Sequence, residues 1–170
     1  MTGIPLRDDV ILHVEDLVRV FERPDGGRVH AVSGVSFEVR RGETLALVGE
    51  SGCGKSTLGR AILQLPPPSS GRVLFEGEDL TRLDFAALRR KRRRLQMVFQ
   101  DPISSLNPRR TVGDIVAEPL TIWKAGTRAE IRARVERTLQ FVGLDPADVW
   151  HRRPHEFSGG QCQRISLARA

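Results

Sequence analysis

Short apolar stretches rich in β-branched residues alternate with polar turns through the first half of the chain. Their spacing predicts strands near Ile11–Val14, Val35–Val39, Arg72–Phe75 and Leu95–Phe99. A nearly continuous apolar run, Thr44–Val48, predicts a further strand that is buried on both faces, as in a parallel sheet. The first half of the chain is therefore expected to be mainly sheet.

The hydrophobic period changes from about two to that of a helix from Val112 onward. One predicted helix carries four apolar residues on a single face: Ile131, Val135, Leu139 and Val142. Directly before it, Thr127 and Glu130 have the spacing of a capping box, which predicts the point where that helix begins. The second half is therefore expected to be mainly helical.

Composition places the chain among ordinary globular proteins, with 39% hydrophobic and 28% charged residues in a length of 170. The first residues contain no apolar signal segment, and the run Leu45–Val48 is far shorter than the roughly 20 residues that span a bilayer. Two distant cysteines, Cys53 and Cys162, suggest neither a disulfide framework nor a zinc site. We therefore expect a soluble protein of a reducing, cytosolic compartment.

The net charge of +6 comes largely from arginines, and the densest cluster is Arg89–Arg94. Such a run could bind nucleic acid or anionic lipid, or it could form a solvated helix face beside a strand. We favour the solvated face, because no aromatic side chains accompany the cluster as a stacking platform.

The stretch GESGCGKST, Gly49–Thr57, is the most specific chemical signal in the chain. It matches the phosphate-binding pattern G-x-x-x-x-G-K-[ST] between the predicted strand Thr44–Val48 and a helical stretch, Leu58–Leu63. The alternative is an ordinary glycine-rich turn, but the flanking strand and helix make a chance match rare.

Phosphate binding explains each residue type in this stretch. Backbone N–H groups must wrap the phosphates, and glycines at 49, 52 and 54 let the backbone approach closely. Lys55 would place a charge on the β- and γ-phosphates, and the Ser56 hydroxyl would bind Mg²⁺. The positive end of the following helix dipole would face the anion.

Two later segments carry weaker signals when each is considered alone. Gln100 follows the predicted strand Leu95–Phe99, where it could contact Mg²⁺ or an attacking water, or be a surface amide. The sequence SGGQ, Ser158–Gln161, could be an anion cradle at a helix start, or a simple N-cap and turn.

Together these segments resemble the nucleotide-binding subunits of ATP-binding cassette (ABC) transporters, in the expected order over nearly the whole chain. GESGCGKST resembles the Walker A loop, VFQDP the Q-loop centred on Gln100, and FSGGQ the signature motif, with Phe157 where leucine is commoner. Within the family, DPISSLNPRRTVGDIVAEPL and HEFSGGQCQRISLARA are most similar to the second ATPase subunit of oligopeptide and dipeptide importers.

The resemblance implies an α/β fold: a P-loop NTPase (RecA-like) core with an antiparallel β subdomain and a helical signature subdomain. It implies residues 1–100 as the β-rich and P-loop core, 101–157 as the Q-loop and helical subdomain, and 158–170 as the signature helix. In this family a Walker B aspartate, a catalytic glutamate and a switch histidine follow the signature. The chain ends before all three, so the resemblance predicts a truncated ABC ATPase, incomplete at its C-terminus.

The resemblance also implies ATP and Mg²⁺ as cofactors and assigns site residues. Lys55 and Gln100 would be catalytic, and Ser56 and Gln100 would contact the metal. Phe21 is the candidate for the aromatic residue that stacks on adenine, with His30 as the rival and plain packing as the alternative. The residues expected to bind nucleotide, here or in a partner, are Phe21, Gly49, Ser51, Gly52, Cys53, Gly54, Lys55, Ser56, Thr57, Ser158, Gly159, Gly160 and Gln161.

The implied partners are a second ATP-binding subunit, in a head-to-tail dimer, and two transmembrane permease subunits. An extracytoplasmic solute-binding protein would act indirectly, no nucleic acid is expected, and the subunit would be peripheral on the cytoplasmic membrane face. Two alternatives stay open: a soluble ABC-type ATPase acting on nucleic acid or ribosomes, and a non-catalytic nucleotide-binding module.

Overall fold

The computed structural model describes residues 9–170, which form two compact units divided between Leu95 and Gln96. We call residues 9–95 the N-terminal unit and residues 96–170 the C-terminal unit. In the described part of the chain, no helix is both long and apolar enough to cross a membrane.

The N-terminal unit is built on an antiparallel sheet of four strands. The strands are β1 (Val10–Glu22), β2 (Arg28–Arg40), β3 (Ser70–Phe75) and β4 (Glu78–Asp79), in the spatial order β2-β1-β3-β4. The three strands predicted near Ile11, Val35 and Arg72 are confirmed, and the first two are much longer than predicted.

Two helices complete the N-terminal unit: α1 (Lys55–Ile62) and α2 (Phe85–Lys91), with a short 3-10 turn at Leu80–Arg82. The buried side chains of one face of the sheet and of α1 form a single hydrophobic cluster, which provides the main stabilisation of this unit. Its members are Val14, Leu17, Val32, Leu58, Ala61, Val73, Phe75 and Leu80.

Two predicted strands are wrong. Neither Thr44–Val48 nor Leu95–Phe99 is a strand in the structure, and the first is not buried: Leu45 is 47%, Leu47 49% and Val48 89% exposed. An apolar run becomes a buried strand only when hydrogen-bonded strands flank it. No strand among residues 9–170 pairs with either segment, so both remain irregular.

Part of the basic cluster Arg89–Arg94 is used for contacts within the N-terminal unit. Lys91 forms an ion pair with Glu78 at 2.5 Å. Arg92 donates to two main-chain carbonyls after α1, those of Leu63 and Gln64, and Arg94 pairs with Glu76. The cluster is therefore only in part the solvated helix face that the sequence favoured.

The C-terminal unit is helical, with no strand in residues 96–170. Its helices are α3 (Pro102–Ser105), α4 (Val112–Ile122), α5 (Arg128–Phe141), α6 (Pro146–Val149) and α7 (Gly159–Arg169). Segments 101–157 and 158–170 both contribute to one core, made of Leu106, Val112, Ile115, Val116, Val135, Leu139, Leu144, Val149, Cys162, Ile165 and Ala168.

The predicted start and buried face of α5 are confirmed. The Thr127 hydroxyl accepts a hydrogen bond from the Glu130 amide, and the Glu130 carboxylate accepts one from the Thr127 amide, which completes the capping box. Val135 and Leu139 are fully buried, with Ile131 and Val142 packed around the same core. These bonds lower the pKa of the Glu130 carboxyl below its usual value, mainly through the Thr127 amide.

Candidate nucleotide-binding site

The glycine-rich loop, residues 49–54, is exposed except at half-buried Gly54 and leads directly into α1. Gly52 has φ +84° and Gly54 has φ +95°, a left-handed conformation that residues with a side chain seldom adopt. Glycine is therefore favoured at both positions for conformational reasons, whereas the sequence predicted it there for close approach of the backbone to phosphate.

Gly54 has a second constraint that the sequence did not reveal. A Cβ atom built on Gly54 would lie 2.0 Å from the carbonyl oxygen of Ala31 in β2. At Gly52, by contrast, a Cβ would meet no atom within 4 Å. The last glycine of the loop thus fixes the start of α1 against the main chain of β2, whereas Gly52 faces open space.

Lys55, the first residue of α1, folds back over the loop. Its Nζ donates hydrogen bonds to the carbonyl oxygens of Gly49 at 2.8 Å and Glu50 at 2.7 Å. The same Nζ lies 3.6 Å from the Sγ of Cys53, which is exposed. The ammonium group is therefore held at the centre of the loop, where an anion bound by the loop would meet it.

Unpaired amides lie beside this ammonium group. The first hydrogen bond of α1 runs from the Leu58 amide to the Gly54 carbonyl at 2.8 Å, so the amides of Lys55, Ser56 and Thr57 precede it and have no acceptor within the helix. Such amides, a lysine and the positive end of a helix dipole fit a phosphate group. The exposed Ser56 at the second helical position supplies a hydroxyl of the kind that binds Mg²⁺ beside a phosphate.

The two candidate adenine-binding residues lie on neighbouring strands of the N-terminal unit. Phe21, in β1, pairs with Val29 and is 38% exposed, whereas the exposed His30, in β2, pairs with Val20. Because side chains alternate along a strand and directly opposed residues share a face, Phe21 and His30 project from opposite faces of the hairpin. Only one of the two side chains can therefore stack on the adenine of a given nucleotide.

Arg19 is a residue that the sequence reasoning missed. Its guanidinium carbon lies 4.6 Å from the centroid of the Phe21 ring, the geometry of a cation–π contact. The available signal was the spacing Arg-x-Phe in an alternating strand, which places the two side chains on the same face.

Gln100 lies in the C-terminal unit, exposed and outside any regular element. Asp101 directly after it caps α3, where its carboxylate accepts hydrogen bonds from the amides of Ile103 at 3.0 Å and Ser104 at 3.3 Å. Hydrogen bonding to Ser104, followed by the amide bonds, lowers the pKa of the Asp101 carboxyl. These hydrogen bonds hold the residues directly after Gln100 in place. The role of Gln100 at the phosphate loop stays a prediction.

The segment SGGQ forms the N-terminus of α7, and its N-cap is confirmed. The Ser158 hydroxyl accepts from the Gln161 amide at 3.3 Å, and the Gln161 side-chain oxygen accepts from the Ser158 amide at 3.0 Å. Gly159 and Gly160 occupy the first turn, and a Cβ at either would meet no atom within 4 Å. Both residues are exposed, so their amides are accessible to a ligand. The role of this segment in binding a partner's nucleotide stays a prediction.

The two cysteines have different environments. Cys162 is fully buried in the core of the C-terminal unit, and burial raises the pKa of its thiol. Cys53 is exposed in the glycine-rich loop. Among residues 9–170, no group of three or more His, Cys, Asp and Glu side chains is placed to hold a metal ion by itself.

Taken together, the mixed α/β fold, the glycine-rich loop before α1 and the capped helix at SGGQ are the features of a nucleotide-binding domain of the P-loop class. Residues 32–170 match the ABC transporter family. The chain belongs to this family.

Curated relatives support the same assignment. The chain is 47% identical to the oligopeptide transport ATP-binding protein AppF of Bacillus subtilis and 47% identical to the di/tripeptide transport ATP-binding protein DppF of Pseudomonas aeruginosa. In both comparisons the match covers 95% of this chain and 51% of the relative. The chain thus spans about half the length of these relatives.

Solved structures share the fold. The cbiO1 protein of Clostridium perfringens, part of the ABC transporter complex cbiONQ, has a TM-score of 0.78 at 32% identity, with 94% of this chain and 60% of that chain covered. The ATP-binding cassette MJ0796, in a dimeric post-hydrolysis state with ADP and Pi, has a TM-score of 0.81 at 28% identity, with coverages of 94% and 68%.

Proposed function

We propose that the chain forms the ATP-binding part of an importer subunit in which ATP binding and hydrolysis drive the uptake of peptides or similar solutes. The observation that carries the proposal is the glycine-rich loop, where Lys55 and the free amides of α1 converge. The choice of solute rests on the relatives, whose names specify oligopeptide, di/tripeptide and, at 48% identity, glutathione import.

Each residue of the loop has a separate task in this proposal. The amides of Lys55, Ser56 and Thr57 donate to phosphate oxygens, and Lys55 moves its hydrogen bonds from the Gly49 and Glu50 carbonyls to the phosphates. Bound Mg²⁺ would neutralise phosphate charge, with the Ser56 hydroxyl and the Gln100 amide oxygen as its protein ligands. Phe21 stacks on the adenine ring.

The signature segment acts on a nucleotide held by another subunit. In the proposed head-to-tail dimer, Ser158, Gly159, Gly160 and Gln161 face the ATP bound by the partner's glycine-rich loop. The dimeric state of the related cassette MJ0796 supports this arrangement. Ser158, as the N-cap of α7, fixes the direction in which the first amides of that helix point.

In the family's pattern, turnover also depends on a Walker B aspartate and a catalytic glutamate that follow the signature motif. We therefore assign to this chain the binding of Mg-ATP, the positioning of Lys55 and Gln100, and contact with a partner. Two permease subunits, an indirectly acting solute-binding protein and a position on the cytoplasmic membrane face complete the proposal for the whole protein.

Reconstitution tests the transport function directly. The full-length protein is co-expressed with two candidate polytopic permease subunits, and the purified complex is placed in vesicles that contain Mg-ATP, with a solute-binding protein outside. We expect ATP-dependent uptake of labelled di- or oligopeptides, which is abolished by Lys55→Ala. Failure to co-purify with membrane subunits, together with RNA or DNA affinity that falls steeply with salt, would support the nucleic-acid alternative instead.

A further inference from the structure

The end of β1 is attached to the proline-rich turn at residues 66–69 through three consecutive residues. The Ser69 amide donates to the Val18 carbonyl at 2.7 Å, and the Val20 amide donates to the Ser69 hydroxyl at 3.0 Å. Between them, the Arg19 guanidinium donates to the Pro67 carbonyl at 2.8 Å. The turn thus fixes both the main chain of β1 and the Arg19 side chain immediately before Phe21.

Arg19 in turn contacts the ring of Phe21. Its guanidinium carbon is 4.6 Å from the ring centroid, while 38% of the Phe21 surface stays exposed. A planar guanidinium stacks on one face of an aromatic ring and limits the rotamers open to it. The Arg19 guanidinium therefore holds the Phe21 ring in place while part of the ring stays exposed.

The bond to Pro67 does not use every polar atom of the Arg19 side chain. The Nε atom of Arg19 is buried, and it is the one buried side-chain nitrogen or oxygen in the described part of the chain that lacks a hydrogen-bond partner. Burying a polar group without a partner is unfavourable, so the bond to Pro67 is offset in part by the unpaired Nε atom. A role for the cation at the Phe21 ring would explain its presence.

Val32 in β2 lies near both Arg19 and the glycine-rich loop. A Cβ built on Gly54 would lie 3.9 Å from a methyl group of Val32, which is buried. Val32 is the register partner of Arg19 across β1 and β2, so their side chains share a face. Arg19 then covers Phe21. This proximity favours Phe21 over His30, which projects from the opposite face of the hairpin.

We propose that Arg19 is a positioning residue for nucleobase recognition, which holds the Phe21 ring ready to stack on the adenine of ATP. The inference rests on the proposed ATP site and adds to it a residue that acts only through Phe21. Pre-organising the ring removes the entropy loss of ordering it when the nucleotide binds. Arg19 makes no contact with the phosphates in this proposal.

A double-mutant cycle in the full-length protein tests the proposal. Affinities for Mg-ATP and for inorganic tripolyphosphate are measured by titration calorimetry for the wild type, Arg19→Met, Phe21→Ala and the double variant. Met keeps the aliphatic length of the side chain without its charge. We expect Arg19→Met to weaken ATP binding roughly two- to five-fold, the range of a cation–π contact, with tripolyphosphate affinity unchanged.

The effect of Arg19→Met should disappear when Phe21 is already alanine, and Arg19→Lys should restore part of the affinity. Arg72→Met, at an exposed ion pair with Glu15 in the same sheet, is the matched control and should bind ATP normally. An equal loss in the Phe21→Ala background, or a parallel loss of tripolyphosphate affinity, would overturn the inference. If Phe21→Ala binds ATP like the wild type, the inference is also wrong while the phosphate site stands. Absence of wild-type binding to either ligand would instead refute the proposed function.

Discussion

Replacing Gly54 by alanine tests how the phosphate loop is attached to the sheet. The new Cβ would lie 2.0 Å from the Ala31 carbonyl oxygen, about 1 Å inside the closest approach such atoms show, so β2 or the loop must move. The left-handed φ of +95° adds strain of its own. The strain is worth about 1–2 kcal/mol and the forced displacement about 1–3 kcal/mol, so we expect a loss of roughly 2–5 kcal/mol in the free energy of unfolding.

Gly52→Ala is the matched control, because Gly52 has a similar φ of +84° but its new Cβ would meet no atom within 4 Å. Only the conformational strain of about 1–2 kcal/mol then applies. The assay is urea unfolding followed by far-ultraviolet circular dichroism, with the dependence on urea compared between variants. Equal losses in both variants would show that the approach of Gly54 to Ala31 does not constrain the fold, and the reasoning would be refuted.

Three further predictions follow from single contacts. Mg-ATP should slow alkylation of the exposed thiol of Cys53, while buried Cys162 reacts slowly with or without nucleotide. The rates are measured by mass spectrometry, and equal Cys53 rates with and without Mg-ATP would count against the phosphate site. Ser158→Arg should leave ATP binding by this chain intact but reduce hydrolysis by the assembled full-length dimer, and loss of the chain's own binding in a folded variant would contradict the dimer geometry. Because Thr127 lowers the pKa of the Glu130 carboxyl, the stability from this pair is present above the ordinary pKa of a glutamate and is lost as pH falls through the lowered value. Glu130→Gln should therefore flatten the loss of stability at acid pH, measured by urea unfolding. An unchanged pH profile would show that the capping box does not contribute.

The sequence predicted those parts of the fold that depend on local signals. The capping box at Thr127 and Glu130 and the N-cap at Ser158 need only nearby residues, and the structure contains both. Strand Thr44–Val48 was wrong because a parallel strand depends on neighbours that pair with it, and its apolar residues alone cannot provide them.

Long-range contacts at the candidate site were equally inaccessible to sequence reasoning. The glycine spacing predicted a phosphate loop, but the approach of Gly54 to Ala31 depends on how β2 is placed in three dimensions. The contact between Arg19 and Pro67 joins residues far apart in the chain. The sequence showed only the spacing between Arg19 and Phe21. The contact between them depends on the irregular register of β1 near Arg19 and on its hydrogen bonds to the proline-rich turn, which the sequence does not show.

The exposed segment 44–48 bears on experiments with the 170-residue chain. Leu45, Leu47 and Val48 present apolar surface without paired backbone, a feature that favours association with other chains. We therefore expect this chain to aggregate or to bind nucleotide weakly at high concentration, unlike the full-length protein.

Calorimetric titration of Mg-ATP into the full-length wild-type protein and its Lys55→Ala variant tests the central claim most directly. Lys55 now donates to the Gly49 and Glu50 carbonyls, and transfer of these charge-assisted bonds to phosphate oxygens should contribute roughly ten- to hundred-fold in affinity. Lys124→Ala, which removes an exposed lysine from the C-terminal unit, is the control and should bind like the wild type. The account predicts loss of that affinity in a Lys55→Ala variant whose circular dichroism is unchanged; equal affinity in the folded variant would contradict it.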